Sequence, residues 1–538
     1  MVITFVNMVD PYNITCSQTP LGLVSLYAIA EKNHIEAEIC DLDYMYFKNK
    51  IKRHRKFEAN LKEITKEILK NRTKIVSIYS MCNTYYMAIL TGKMIKQISP
   101  ATILVLAGPH ATLVAEETLK EFSFVDYVGM GEGERTLVQN IEGMLSNKTD
   151  LLDGMAYREQ SSKIIVKWDR KRRIDINQLG FIDVWKFNNP KDFDYVVSIE
   201  GGRGCPFHCS FCSTQRFWGN VFQVKSIDNI MEEIEYYHNN YNITDFSIQH
   251  DLFTFKREYV MKFCEALNKL NIPNINWACS SRIDVIDHEL LEAMSESGCG
   301  NIFFGIETGS AKMQKMIHKN LKLDKVTDLV KKMVELKMGG TFSFIYDFPN
   351  ESEDDLNHTL GLIHQIKKIN MSDSSIKMII NLASLSFLPG TEISNEYYDR
   401  LVYNRIGGMA YYKEKGVETS IEELLKNHKS IFLHCYNIPE NLSLEKKCLG
   451  FFYMTLFNDL YVVCNNEIEE LFNQYENNYL LLYREIYCKA EKELINLCNY
   501  VYCTYDINNN VMQKKFKRIL NKVNKKIPAL HQKFKSTF

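Results

Sequence analysis

Three thiols stand within eight residues: Cys205, Cys209 and Cys212, in the run Glu200-Gly-Gly-Arg-Gly-Cys205-Pro-Phe-His-Cys209-Ser-Phe-Cys212. Thiolates on a short loop are ligands for iron–sulfur clusters. Three of them leave one iron of a cubane without a protein ligand, and an open position is what separates a reactive metal site from a purely structural one. Gly201, Gly202 and Gly204 let the backbone approach such a group without Cβ clashes. Zinc is the competing metal, but it calls for a fourth Cys or His at regular spacing. His208 is too near its neighbours to chelate beside them, and no second Cys pair follows. Chance is the other competitor: with 15 cysteines in 538 residues, this spacing arises somewhere in about one such chain in a hundred.

The thiols need a scaffold, and the sequence around them supplies one. From Tyr195 to about Glu392 six strand candidates alternate with helices: Tyr195–Ile199, Asp245–Ile248, Asn276–Cys279, Ile302–Gly305, Thr341–Ile345 and Met378–Leu385. The helices between them are amphipathic: Ile227, Ile230, Met231 and Ile234 share one face, as do Val326, Leu329, Val330, Met333 and Leu336. Six βα units predict a partial barrel with its chemistry at the C-terminal strand ends, where the cysteine loop falls. Before it, Val2–Val6, Ala37–Cys40, Ile75–Tyr79, Thr102–Ala107 and Val125–Val128 are continuous apolar runs separated by helical patterns. They predict an open, doubly wound parallel sheet whose ligand sits beyond the carboxyl ends of the strands. The expected organisation is α/β: a doubly wound domain over 1–149, a linker over 150–193, a partial barrel over 194–400 and a helical region over 401–538. That last region is rich in aromatics (Phe451, Phe452, Tyr453, Phe457, Tyr461). It ends in Lys514–Phe538, with nine Lys/Arg and no acid, read as an amphipathic helix with a solvated basic face.

Composition narrows the class. The net charge is -1, so no global field favours nucleic acid or an anionic membrane. No apolar run approaches the length of a bilayer span. The start, MVITFVNMVDPY, reads as a strand and not as a signal peptide, so the expected location is the cytoplasm. The remaining cysteines, such as Cys264, Cys435, Cys464 and Cys498, read as buried thiols.

The spacing Cys-x3-Cys-x2-Cys, with aromatic Phe211 before the last Cys, resembles the signature of the radical S-adenosylmethionine (SAM) superfamily. The resemblance runs on in order through the barrel. Ser247–Thr254 (SIQHDLFT) resembles the second-strand segment, which implies that Asp251 meets the SAM amino group; His250 stands where the pattern is usually acidic or small. Trp277–Asp284 (WACSSRID) and Gly298–Ser310 (GCGNIFFGIETGS) resemble the third and fourth. They imply that Arg282 approaches the SAM carboxylate and Glu307 the ribose or amino group. Phe344–Glu351 (FIYDFPNE) resembles the fifth, with Asp347 in place of the usual Gly, and Leu388–Glu392 (LPGTE) the sixth.

At the amino end, Pro20-Leu-Gly22, Asp41, Gly108-Pro-His-Ala-Thr112 and Gly129-Met-Gly131-Glu-Gly133-Glu resemble the cobalamin-binding domain of one radical SAM subgroup. The Asp-x-His-x2-Gly motif is absent, as it commonly is there. By this resemblance Gly108, His110, Gly131, Glu132 and Gly133 line a cobalamin site. The last three sit in a Gly-rich turn that also suits a phosphate at a helix N-terminus. The resemblance implies a [4Fe–4S] cluster, SAM, cobalamin and an external reductant such as flavodoxin or ferredoxin. The expected reaction is methyl transfer to an unactivated carbon of a small-molecule, peptide or lipid substrate. Rearrangement or cyclisation with the same cofactors is the alternative, and a noncatalytic iron–sulfur protein is the alternative of another class. No residue is assigned a catalytic role beyond cofactor binding.

Overall fold

The first strand, β1 (Ile3–Asn7), is buried along its whole length, as an unbroken apolar run covered on both faces must be. It pairs in parallel with β2 (Ala37–Asp41) and β3 (Ile75–Tyr79), Ile3 lying opposite both Ala37 and Ile75. β4 (Ile103–Ala107) and β5 (Tyr127–Gly129) extend the sheet, still parallel. The structure, a computed structural model, describes residues 1–503 apart from 15–17, 160–161, 170–171, 182, 405–418 and 463–464. Cys464 and the basic stretch Lys514–Phe538 lie outside the described residues.

Residues 150–193, expected as a linker, begin with two more strands of this sheet. β6 (Met155–Arg158) runs antiparallel to β5, and β7 (Ile164–Lys167) antiparallel to β6. Burial explains the join: Met155, Ala156 and Tyr157 are enclosed, and Arg158 donates to the carbonyls of Leu119, Phe122 and Val125 at 2.7–3.1 Å. Those carbonyls lie at the end of the helix Ala115–Glu121, where unpaired acceptors attract a cation.

The second sheet takes its six main strands in chain order, all parallel. β8 (Val196–Glu200) is followed by a short antiparallel pair, β9 (Gly202–Arg203) with β10 (Gln223–Val224). Then come β11 (Asp245–Gln249), β12 (Asn276–Ser281), β13 (Cys299–Glu307), β14 (Gly339–Tyr346) and β15 (Met378–Ser384). All six expected strands are present. The helix Asp324–Glu335 shows why the pattern holds. Val326, Leu329, Val330 and Met333 are buried on one face, each worth roughly 2 kcal/mol of apolar burial.

The partial barrel stays open, with β8 and β15 at its edges. Each edge is met by a side-chain amide. On β8, Gln18 donates to the Val196 carbonyl and accepts from the Ser198 N–H at 3.1 Å. On β15, Asn458 donates to the Ile380 carbonyl at 2.8 Å and accepts from its N–H at 2.9 Å. Asn458 sits in a π-helical turn, Leu456–Leu460, between C-terminal helices. That region is helical as expected, apart from a small antiparallel pair, β16 (Val402–Tyr403) with β17 (Tyr436–Asn437). Phe452, Tyr453, Phe457 and Tyr461 form its core. Among the described residues no helix is long and apolar enough to cross a membrane.

Candidate active site at the cysteine loop

The cysteine loop leaves the C-terminal end of β8 and is fixed from several sides. Gly204 has φ +85°, and a Cβ there would fall 2.0 Å from the Val221 carbonyl oxygen, so only glycine fits. Its N–H donates to Asp251 Oδ2 at 2.9 Å, and Thr214 donates to Asp251 Oδ1 at 3.3 Å. On the far side, the Ser210 N–H donates to the Ile317 carbonyl and its carbonyl accepts from the Ile393 N–H, in the helix Glu392–Tyr397 that follows the sixth-strand segment. His250 is buried. Its Nδ1 accepts from the Leu252 N–H, so Nε2 carries the proton donated to the Gln223 carbonyl at 2.9 Å. Burial holds it neutral, with its pKa down to about 4. His250 therefore ties β10 to the end of β11.

The three thiols are unpaired and half-buried. Burial pushes Cys205 up to about 11. It raises Cys209 as well, against the pull of Lys319 and Arg282. Among the described residues no three His, Cys, Asp or Glu side chains converge closely enough to hold a single ion. A cubane takes one thiolate per iron and spreads its ligands wider than a lone ion does. The donor set, three thiols on a glycine-cradled loop beside two cations, fits a cluster.

The residues expected around SAM gather here. Arg282 is buried, with its guanidinium 3.7 Å from the centre of the Phe207 ring and Nη1 3.9 Å from Cys209 Sγ. It also donates to Asp284 and to the Lys319 carbonyl, each at 2.8 Å. Glu307 is buried against Lys319 at 2.6 Å, at a bulge in β13, with φ +70°. That conformation costs a non-glycine residue ~1 kcal/mol or more. Phe211 packs edge-on to Phe348 at 6.0 Å. Asp251 bonds the loop backbone. Arg282 and Glu307 thus arrive already paired. Lys319, whose ammonium pairs with Glu307 and whose carbonyl accepts from Arg282, was not legible in the sequence.

At the end of β14, Asp347 adopts φ +69° and is buried. Its carboxylate accepts from Ser384 at 2.7 Å and lies 3.5 Å from Lys446, in the C-terminal helix Leu444–Thr455. Burial pushes it up to about 6. Burial, and then Asp347 itself, push Glu351 from 4.5 up to about 8. Glu351 Oε2 accepts from the Asp347 N–H at 2.8 Å, while Oε1 is enclosed without a partner. An acid whose folded pKa is raised holds its proton more tightly when folded. Its stabilisation is complete below the unfolded value and is lost as pH rises through the folded one. Glu351→Gln is therefore expected to match wild type near pH 4.5 and to exceed it near pH 8. The gap opens toward an upper bound on the order of 4 kcal/mol. Urea unfolding at both pH values checks this, and parallel pH slopes for the two proteins would refute it.

The first sheet presents its own strand ends nearby. At the end of β4, a Cβ on Gly108 would fall 2.8 Å from the Ser80 carbonyl oxygen. At the end of β3, Ser80 Oγ is enclosed without a hydrogen bond. This close-packed turn and unused hydroxyl fit a ligand placed where open α/β sheets bind one. His110 turns elsewhere: it is buried and its Nε2 bonds the Ile431 carbonyl at 2.9 Å, leaving it in a backbone-bonding role.

The glycine turn after β5 is bound to the cysteine loop. Gly131 donates to Thr112 Oγ1 at 3.1 Å, and a Cβ on it would strike Trp168 at 2.6 Å. Gly133 packs near Leu26. Glu132 accepts from Arg203 Nη1 at 2.7 Å, and Glu134 from Arg203 Nη2 at 2.8 Å. Arg203 Nε reaches Glu200 at 2.6 Å, and Arg173 lies 3.7 Å from Glu132. Two carboxylates make this turn unsuited to a phosphate. Arg203 stands two places before Cys205, and its neighbourhood there was the only hint of this role in the sequence.

Two stretches of the chain match known families: residues 199–363 match the radical SAM superfamily, and residues 14–140 the B12 binding domain. The chain carries a radical SAM domain with a B12-binding domain ahead of it. The cofactors that go with these domains are a [4Fe–4S] cluster, SAM and cobalamin. Among curated relatives, an uncharacterized methyltransferase of Pyrococcus horikoshii is 28% identical over 56% of this chain and 66% of its own length. The cytidylyl-2-hydroxyethylphosphonate methyltransferase of Streptomyces wedmorensis is 26% identical over 61% of this chain and 69% of its own. The anaerobic magnesium-protoporphyrin IX monomethyl ester cyclase of Rubrivivax gelatinosus is 23% identical over 55% of each chain. The fold is shared with the cobalamin-dependent SAM radical enzyme OxsB bound to aqua-cobalamin, with TM-score 0.66 and 15% identity over 99% of this chain and 83% of that one. It is shared also with the SAM methyltransferase TsrM of Kitasatospora setae, bound to tryptophan and aza-SAM, with TM-score 0.62 and 13% identity over 85% and 89%.

Proposed function

We propose that the chain is a cobalamin-dependent methyltransferase acting on an unactivated carbon of a small-molecule, peptide or lipid substrate. The observation that carries this reading is the direct tie between the cysteine loop and the B12-binding domain, through Arg203 with Glu132 and Glu134. Two of the relatives described above are named methyltransferases, which supports it. Cys205, Cys209 and Cys212 would hold three irons, and the strand ends at Ser80 and Gly108 would receive cobalamin. When bound, cluster and SAM supply a 5′-deoxyadenosyl radical, and cobalamin a transferable methyl group.

The chain's own side chains prepare that site. Gly204 and Asp251 hold the loop in one conformation. Arg282 and Lys319 set two positive charges beside Cys209, which oppose the upward push of burial on its thiol. Phe207 lies under the Arg282 guanidinium and Phe211 packs against Phe348, giving the loop apolar neighbours beside those charges. An external one-electron donor such as flavodoxin or ferredoxin completes the requirement.

The test uses the full chain, reconstituted anaerobically with iron, sulfide and cobalamin and given methyl-labelled SAM, a reductant and fractionated metabolites. Release of 5′-deoxyadenosine with label entering a product is expected. No 5′-deoxyadenosine under any fraction would sink the reading. The match to a cyclase favours a second reading, carbon–carbon ring closure with the same cofactors. It would show as 5′-deoxyadenosine with an unlabelled product.

A further inference from the structure

We propose that Arg203 is a positioning residue that couples the two cofactor sites, so that seating cobalamin orders the cysteine loop and a loaded loop tightens cobalamin binding. The inference rests on both cofactors binding, as proposed above.

The contacts form an unbroken path. Thr112, in the short helix Pro109–Leu113 that follows Gly108 at the end of β4, accepts from the Gly131 N–H at 3.1 Å. The next residues of that turn, Glu132 and Glu134, accept from separate Arg203 nitrogens at 2.7 and 2.8 Å. Arg203 is followed by Gly204, whose N–H is held by Asp251 at 2.9 Å, and then by Cys205. Every step is a peptide bond or a hydrogen bond.

The hub is built to hold one geometry. The guanidinium is planar, and all three of its nitrogens are engaged: Nε with Glu200 at 2.6 Å, Nη1 with Glu132, and Nη2 with Glu134. The Arg203, Glu132 and Glu134 side chains are only 6–7% exposed. A planar fork bonded on every side cannot rotate to follow one partner without losing another. Trp218, just past Cys212, lies under both Arg203 and Arg173, at 5.8 and 6.0 Å from its ring centre. A shift of the Glu132–Glu134 turn is thereby passed to both ends of the cysteine loop.

Coupling of two binding sites is reciprocal: the factor by which one ligand tightens the other is the same read from either side. The test titrates cobalamin, by its visible spectrum, into cluster-free and cluster-loaded full-length protein. It also times iron release to a chelator with and without cobalamin. Deleting Arg203 would strand the two buried carboxylates Glu132 and Glu134 and endanger the fold, so the variant is Glu132→Gln with Glu134→Gln, which keeps volume and the Arg203–Glu200 pair. Thermal melts followed by circular dichroism check that it folds, and the single variant Glu134→Gln serves if the double one does not. Wild type is expected to bind cobalamin about tenfold tighter when loaded, and to release iron correspondingly more slowly with cobalamin present. In the variant both ratios are expected to fall below about twofold. A variant that keeps the wild-type ratios, or a wild type without any ratio, overturns the coupling alone. A wild type that binds no cobalamin in either state overturns the proposed function as well.

Discussion

Replacing any one of Cys205, Cys209 and Cys212 by alanine is expected to lower reductive SAM cleavage at least about a thousandfold, a loss of ~4 kcal/mol in transition-state stabilisation. Two thiolates cannot keep three irons of a cubane in place, so the effect is loss of the cluster and not a tuning of it. The fold should survive. The thiols are half-buried, and the approach of Arg282 to Cys209, at 3.9 Å, is weak. Iron and sulfide content, visible absorbance and 5′-deoxyadenosine release are the readouts, with the melting temperature as control. Variants that retain wild-type cleavage would remove the cluster assignment altogether.

Gly204→Ala is expected to do nearly as much damage without touching a ligand. Its new methyl would lie 2.0 Å from the Val221 carbonyl oxygen and 2.9 Å from its carbon, at a residue with φ +85°. Backbone cannot step aside as a side-chain tip does, so the β9–β10 pair must open or the loop must move. The expected cost is ~3 kcal/mol or more of stability, with loss of most of the bound iron. Gly390→Ala is the matched control. Its φ is +75°, yet the nearest atom to a new Cβ is 4.0 Å away, so only the conformational cost of ~1 kcal/mol applies. Denaturant unfolding and iron assay of the two variants side by side decide the matter. Equal losses would mean that the close approach to Val221 is not what fixes the loop.

The strands of the first sheet were legible because burial on both faces writes itself as a nearly continuous apolar run, as at Ile75–Tyr79, whereas Met378–Ser384 at the barrel edge buries every second residue. The thiols were legible because their spacing is local. What escaped was carried by partners far apart in the chain. The hairpin β6–β7 fell in the stretch read as a linker, because nothing nearby showed that a partner sheet lay behind it. The turn at Gly131–Glu134 looked like an anion cradle until Arg203, some 70 residues on, claimed its carboxylates. Lys319 gives no sign of its pairing with Glu307, because the bulge that aims Glu307 inward is a tertiary event. His250 looked like a departure at the cofactor and proves to be a buried tie between strands.

The amides of Gln18 and Asn458 give the partial barrel a second meaning. An incomplete barrel leaves two rows of unsatisfied peptide groups, which invite a strand from any passing chain. A carboxamide offers one donor and one acceptor, as a peptide unit does, and so ends the ladder without extending it. The two plugs come from opposite directions, one from ahead of the barrel and one from behind it. The flanking regions therefore act as chaperoning walls, and the catalytic segment alone would carry two self-associating edges.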